Sequence, residues 1–411
     1  TNYGIDHYQN GHLWGFAICC LGTLTGNIGR KGCSLSGLYV SSSITFNYTP
    51  LYVSNGKLAN GVVPLNGMGE LIKTQKLFGK DYPVKALYTT NANSMSNFAG
   101  QNQWFDDILP NIDYWVVHDF EMTDCAQYAD IVLPAAFWLE VEDVKGSMFA
   151  PFITVQEKAI EPLYESKSDV ETYRLIATAM GLGQFFPDQP DEEWIKLLFD
   201  LPLFTQLGMT WDVVKAAKTV RTAWNGNPFV RGESAAFPVP QGRVRVYCDT
   251  IAPRTNWGQE IDPELLVKER MPYFKAPNEA WDENPLYKKY PLVYIQDHTR
   301  FRVHSQWFDT PNLRELDPEP YIRMNPDDAT ARGLKEGDIA EMFNDRGHAV
   351  AKLRLDPAVK PGVATMPKGW QRNQFIEGCF QEMTNGTSDP LACNFAFFDA
   401  LVDVRKYEGG K

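Results

Sequence analysis

Apolar residues recur along this chain in two rhythms, and the change between them divides it. Residues 12–24 carry apolar side chains at helical spacing and predict a buried helix. It stops at Thr25-Gly26-Asn27-Ile28-Gly29-Arg30-Lys31-Gly32, where glycine relieves a left-handed turn and the basic pair complements the helix C-terminus. Residues 33–66, rich in Ser, Asn, Gly and Tyr, read as a long ordered loop. From Gly67 short helices and short apolar strands alternate: helix 69–78, strand 84–89, helix 101–109 ended by Pro110, strand 114–118, helix 122–128 and strand 130–134. That alternation predicts a parallel, doubly wound α/β sheet, which binds ligands at the carboxyl ends of its strands. Those ends carry Asn91-Ala92-Asn93-Ser94 and Asp119. Small polar residues can approach phosphates or ribose, and a carboxylate can accept from sugar hydroxyls or a base edge; Asp119 equally suits a helix cap.

Helices are predicted over 169–180 and 192–199, with proline-rich joints at 186–190 and 237–240 and a strand over 242–247. Residues 250–289 show little periodicity and read as a linker. From Tyr290 onward the chain has β character. A strand over 321–324 leads into Asn325-Pro326, a capped helix stopped at Gly333. Turns at Gly337-Asp338, Asp345-Arg346-Gly347 and Pro361-Gly362 separate further short strands, and a barrel with one inserted helix is the expected closure.

Composition narrows the chemistry. At 411 residues with 44% hydrophobic positions, two or three domains are expected. The net charge of -12 leaves no broad basic face and excludes nucleic acid as a main partner. No pair of the seven cysteines is spaced Cys-x-x-Cys. A metal site or iron–sulfur cluster built by this chain alone, or a disulfide framework, is therefore not expected. Cys19-Cys20 falls in the apolar helix and reads as core. Asn47-Tyr48-Thr49 and Asn385-Gly386-Thr387 match glycosylation sequons, a pattern common by chance. No apolar run is long enough to span a membrane as a helix, and no signal peptide opens the sequence. The chain starts at Thr1, within what reads as an ongoing element, so it is expected to be a piece of a longer polypeptide or one part of a split one. Against this acidic background, residues 296–307 collect Arg300, Arg302, His298, His304, Ser305 and Gln306 at the end of an apolar run. Solvated arginines at a surface strand end would explain them; so would an anionic, heteroaromatic ligand, since Arg offers forked donors and His, Ser and Gln can read ring edges.

The order of motifs resembles the dimethyl sulfoxide reductase family, whose molybdenum or tungsten enzymes bind two pyranopterin guanine dinucleotides. The matching strings are Leu24-Thr25-Gly26-Asn27-Ile28-Gly29 with Gly32, residues 129–136 with Glu140, residues 302–307, residues 322–329 with Gly333 and Gly337-Asp338, Asn344-Asp345-Arg346-Gly347, Pro361-Gly362 with Pro367-Lys368-Gly369-Trp370, and Asn385 with Asp389-Pro390-Leu391. The chain departs from the family at Asn91-Ala92-Asn93-Ser94, Asp124-Cys125-Ala126 and residues 296–300, which keep small or polar character. The resemblance implies the second half of a Rossmann-like doubly wound domain over 1–250, a linker over 251–288, and a double-psi, aspartate-decarboxylase-like β-barrel over 289–411. It implies Asn91, Asn93, Asp119 and Thr123 against one guanosine and its pyrophosphate. His304, Ser305, Gln306, Arg300, Lys368, Trp370 and Asn385 would meet pterin edges or phosphates; Trp370 also suits a core and Lys368 a solvated surface.

The function so implied is the cofactor-holding C-terminal part of an oxidoreductase catalytic subunit of prokaryotic anaerobic respiration, acting on a small molecule by oxygen-atom or two-electron transfer. No residue here is assigned to the metal or to catalysis. The metal ligand and any 4Fe-4S cluster are expected in a missing N-terminal half, and a membrane anchor and an iron–sulfur electron-transfer subunit are possible partners. A non-redox hydratase or transhydroxylase within the family, and a structural or partner-binding subunit that keeps the fold without cofactor, are the competing readings.

Overall fold

A computed structural model describes residues 4–27, 46–47, 63, 65–77, 79–146, 152–221, 242–251 and 262–409. The first helix, α1 (Gly11–Leu24), forms as predicted, and Gly26 (φ 67°) provides the left-handed stop. Its burial is corrected. Only Gly11 and Leu13 are buried, Trp14, Leu21 and Leu24 are exposed, and Cys19 is exposed and Cys20 half-buried. Tertiary contacts anchor the first turn, through Asn10 and His12, and beyond Leu13 the side chains of this largely apolar helix are half-buried or exposed. Gly29, Gly32 and most of the loop expected over 33–66 lie outside the described residues.

Helix α2 (Met68–Thr74) leads through a short hairpin, β1 (Lys76–Leu77) and β2 (Lys80–Asp81), into the parallel sheet. Strands β3 (Ala86–Thr90), β4 (Tyr114–Asp119) and β5 (Ile131–Pro134) pair in sequence order, all parallel. Between them lie α3 (Ser94–Asn97), a π-helical turn over Trp104–Ile108, and α4 (Asp124–Tyr128). The core under this sheet joins Ile72, Met95, Ile108 and Val117 to Trp104, whose ring stacks on Trp115 at 4.9 Å.

A unit that periodicity did not reveal follows. Strands β6 (Asp143–Gly146), β7 (Phe152–Gln156) and β8 (Thr219–Arg221) form an antiparallel sheet. Helices α5 (Asp169–Ala179) and α6 (Asp191–Leu198) match prediction, whereas α7 (Pro202–Gln206) and α8 (Trp211–Ala217) are new. Phe46, Ile153, Phe199, Phe204 and Trp211 make its separate core. The strand expected over 242–247 does not form; with Val246 and Tyr247 exposed, it has no apolar face to set against a sheet.

The expected linker is held firmly. After α9 (Pro263–Lys268), the backbone N–H groups of Asn278, Glu279 and Ala280 donate to Asp399 at 2.7–2.9 Å. The Glu279 carboxylate takes a two-pronged contact from Arg346 (2.7 and 2.8 Å) and accepts from Leu401 N (2.7 Å). Charge-assisted bonds of this kind are about twice as strong as neutral ones.

The barrel comprises β9 (Leu292–Asp297), β10 (Tyr321–Met324), β11 (Ile339–Phe343), β12 (His348–Leu355), β13 (Val363–Pro367), β14 (Glu377–Gly378) and β15 (Leu401–Lys406). Their order is β10-β13-β9-β15-β11-β12-β14, and a parallel β10–β12 pairing closes the ring. Helices α10 (Pro311–Leu316) and α11 (Pro326–Thr330) are inserted; Asn325 Oδ1 caps α11 by accepting from Asp327 N at 2.9 Å. Alternation fills the interior: Leu292 and Tyr294 of β9 point in with Ile322, Met324, Ala340, Met342 and Met366.

His12 stitches α1 to the linker and barrel. Its Nδ1 lies 2.6 Å from Asp389 and its Nε2 2.5 Å from Glu269, both carboxylates buried. Burial opposes a charge on the imidazole, but the hydrogen bonds and charges of Asp389 and Glu269 outweigh it and raise its pKa to about 9. A raised folded-state value means the stabilisation is full below about pH 6.5 and is lost as pH rises through 9. Denaturant unfolding should therefore show a fall on the order of 2 kcal/mol across that window, the full shift being reduced by solvent screening of the partly exposed ring. His12→Gln should lower stability at pH 6 and flatten the profile; an unchanged pH dependence in the variant would rule the triad out as its source.

Candidate functional site

A cavity of about 600 Å³ lies where the parallel sheet meets the barrel. Both walls are carboxyl ends of parallel strands. On one side, Asn91 directly follows β3 and Asp119 ends β4; on the other, β9 and β13 run parallel with Pro367 opposite Asp297. The chain then turns sharply at Val303–Gln306, with Gln306 N donating to Val303 O (3.0 Å) and His304 in the left-handed region (φ 54°). Gly369 (φ 94°) packs under this turn so closely that a Cβ would sit 1.8 Å from His304 O. Beside it, the Arg302 guanidinium lies 3.3 Å from the centre of the Trp370 ring and pairs with Asp317 at 2.5 Å.

A buried polar seam joins the walls. Gln371 Oε1 accepts from Asn93 Nδ2 (2.9 Å) and Asp124 N (2.7 Å). Arg372 N donates to both Asp124 oxygens (2.9 and 3.0 Å), and Ser96 Oγ donates to the same carboxylate. Nearer the cavity, Asn97 Nδ2 donates to Ser305 Oγ (2.9 Å).

Eight of the eleven residues singled out from sequence line the cavity: Asn91, Asn93, Asp119, Thr123, His304, Ser305, Gln306 and Lys368. Two of these turn inward. Asn93 spends its Nδ2 on Gln371, and its Oδ1 lies 3.4 Å from Ser96 Oγ and 3.5 Å from Cys125 N. Thr123 caps α4, accepting from Ala126 N, and its hydroxyl donates to Asp119 (3.3 Å). The other three lie off the cavity. Arg300 borders a separate surface depression beside α10, Trp370 is fully buried beneath Arg302, and Asn385 is buried with its amide on Asp399 O and Thr387.

Sequence reasoning missed the aromatic side of the cavity. Phe98 and Phe395 stack at 5.0 Å, and the His7 ring meets Phe397 edge-on at 4.9 Å. The run Asn394-Phe395-Ala396-Phe397-Phe398 was a visible signal; His7 and Phe98 had none. Gln371 and Glu121 were missed as well.

The two ends differ in polarity. At the sheet end, Asp119 accepts from Phe120 N (2.8 Å), and burial pushes its pKa up against the hydrogen bonds of Glu121, Phe120 and Thr123. Burial first, then the Asp119 and Asp309 charges, raise Glu121 to about 7. At the barrel end, burial lowers the Lys368 pKa, and Lys368 makes no ion pair among the described residues. His304 is pushed down to about 4 by burial, then by Lys368, His298 and His7. Burial and Lys368 lower His298 too. A desolvated cation among neutral imidazoles is a ready receptor for an anion. The aromatic wall suits a flat heterocycle, and the carboxylate end suits hydroxyl or N–H donors. The donor set therefore fits a dinucleotide with a fused-ring head. No group of His, Cys, Asp and Glu with metal-binding geometry exists among the described residues.

Comparison with known proteins agrees with this chemistry. Residues 3–179 match the family model of molybdopterin oxidoreductases, and residues 292–399 that of the molydopterin dinucleotide binding domain. The putative catalytic subunit of a dimethyl sulfoxide reductase from Halobacterium salinarum is 29% identical over 98% of this chain and 46% of its own length. The Escherichia coli dimethyl sulfoxide reductase DmsA is 26% identical over 98% of this chain and 53% of its own length. The chain thus spans about half the length of these relatives. In fold it is similar to acetylene hydratase from Pelobacter acetylenicus, with a TM-score of 0.63 and 23% identity over 88% of this chain and 51% of that one.

Two outcomes follow from this geometry. Gly369→Ala should lower the thermal midpoint and disturb the Val303–Gln306 turn, because the new Cβ meets backbone rather than a movable side chain; a variant as stable as the parent would contradict the close approach. An anion beside Lys368 should raise the His304 pKa from about 4, so that ligand binding takes up protons and strengthens as pH falls. Histidine NMR titration with and without ligand reads the shift, and a downward one would refute it.

Proposed function

This chain belongs to the molybdopterin oxidoreductase family, and we propose that it is the cofactor-holding C-terminal part of a catalytic subunit that carries molybdenum or tungsten on two pyranopterin guanine dinucleotides. In this reading residues 1–250 supply the second half of a Rossmann-like domain, 251–288 the connection, and 289–411 a double-psi, aspartate-decarboxylase-like barrel. The observation that carries it is the two-ended cavity: Lys368, without an ion-pair partner among the described residues, at the barrel wall, and hydrogen-bond acceptors at the sheet wall.

Asn91 and Asp119 would hold the guanosine end. Lys368, His304, Ser305 and Gln306 would take the diphosphate and pterin edges, with neutral His304 able to donate or accept. Asn93 and Thr123 would act one step back, fixing the loops that carry Asn91 and Asp119. Phe98 and Phe395 would exclude water beside the rings. The bound group supplies oxygen-atom or two-electron transfer at its metal; the protein's share is orientation and the hydrogen bonds that tune it. The metal ligand, any iron–sulfur cluster and the substrate funnel are assigned to polypeptide beyond this chain, and an iron–sulfur subunit is the proposed electron partner.

The test is metal analysis and acid-released pterin fluorescence on the intact enzyme. Molybdenum or tungsten together with pterin and a guanine nucleotide is the expected result; finding neither metal nor pterin would favour a structural subunit. Lys368→Gln should cut retained pterin about tenfold, the cost of one lost charge-assisted contact, and Lys368→Arg should keep most of it.

A further inference from the structure

The sheet wall of the cavity is backed by a hydrogen-bonded chain that none of the comparisons assigns. Asp169, the first residue of α5, receives three groups from the ends of β3 and β4. Asn91 Nδ2 donates to its Oδ2 at 3.2 Å, Thr90 Oγ1 to its Oδ1 at 3.4 Å, and His118 Nδ1 lies 3.3 Å from Oδ1. The other ring nitrogen of His118, a fully buried residue, lies 3.3 Å from Thr172 Oγ1, one turn further along α5. The His118 and Asn91 hydrogen bonds hold the Asp169 carboxyl below the usual carboxylate range, with burial acting against them, so it is ionised. An ionised carboxylate only accepts, and that settles an orientation. The amide nitrogen and oxygen of an Asn are assigned by their partners. With Asp169 behind it, Asn91 must point its NH₂ away from the cavity.

We infer that Asp169 is a positioning residue that locks the Asn91 amide so that Asn91 meets the ligand through Oδ1, as a hydrogen-bond acceptor for a sugar hydroxyl or a base N–H, and not as a donor to phosphate. The inference rests on the reading of this cavity as a nucleotide-cofactor site and deepens it. Asn91 sits in the left-handed region (φ 52°), a conformation that Asn adopts more readily than most residues and that the Asp169 contact helps to hold. The neighbouring groups agree in sign: Asp119 and Glu121 also present acceptors at this end, and Lys368 and His304 lie on the opposite wall. Of the guanosine and pyrophosphate contacts expected jointly of Asn91, Asn93, Asp119 and Thr123, the nucleoside contact is the one assigned to Asn91.

Release of bound pterin from the purified, full-length holoenzyme in dilute denaturant, followed by fluorescence, tests this. Asp169→Ala and Asn91→Ala should each speed release about tenfold. The double variant should be no faster than either single one, because both remove the same contact. Asp169→Asn, which keeps an accepting oxygen of the same shape, should stay within about threefold of the parent, and this comparison stands even if Asp169→Ala folds poorly. Release that multiplies to about a hundredfold in the double variant would show Asp169 acting independently of Asn91 and overturn the inference. An Asp169→Ala variant as slow as the parent, or an Asp169→Asn variant as fast as Asp169→Ala, would do the same. A parent enzyme with no pterin to release would instead overturn the reading of the cavity itself.

Discussion

The Gln371 side chain, buried where the barrel meets the parallel sheet, sets the geometry on which the cavity depends. Its amide oxygen takes N–H groups from Asn93 and Asp124, and Asp124 takes the backbone N–H of Arg372 in return. Each of these polar groups would cost about 1–3 kcal/mol if buried without its partner. A shift of the barrel against the sheet would break several at once. One docking register satisfies them all, so the loops after β3 and β4 face the turn at Val303–Gln306 across a fixed gap. Asn97 and Ser305 close the same seam nearer the ligand space.

The polarity of the cavity follows from that docking. The sheet contributes strand ends where Asp119 and Asn91 present oxygens. The barrel contributes the ends of β9 and β13, where Lys368 and three imidazoles crowd together; burial lowers the proton affinity of all four, and the Lys368 charge lowers the imidazoles further. Neither wall alone is a site. Together they make a space anion-seeking at one end, donor-seeking at the other, and aromatic along one side. The acidic whole chain does not contradict this, because cavity electrostatics are decided by groups a few ångströms away rather than by net charge.

The segment between the domains is part of the same construction. Asp399 gathers three backbone N–H groups of the connecting segment, Glu279 grips Arg346, and His12 bridges Glu269 and Asp389. These contacts tie α1 and the connector to the barrel strand β15 and to the turn before it. Residues 394–398, which form the aromatic wall, lie between Asp389 and Asp399 and are held from both ends.

Local rules carried the sequence reading a long way. The β3–α3–β4–α4–β5 alternation, the Asn325 cap, and the turns at Gly337, Gly347 and Gly362 were legible because each is decided by neighbours within a few residues. Eight of the eleven site residues that the family resemblance implied meet at one cavity, where strand ends and turns bring them together. Non-local physics decided the rest. The exposure of Cys19, the firm seating of the connector and the antiparallel unit around Phe204 depend on which distant surfaces arrive to cover them. Trp370 and Arg300 share a motif with cavity residues but point elsewhere, since adjacent side chains on a strand or turn diverge. Residue type showed that Asn91 could hydrogen-bond; only the arrival of Asp169, 78 positions later, decided which end of its amide is left for the ligand.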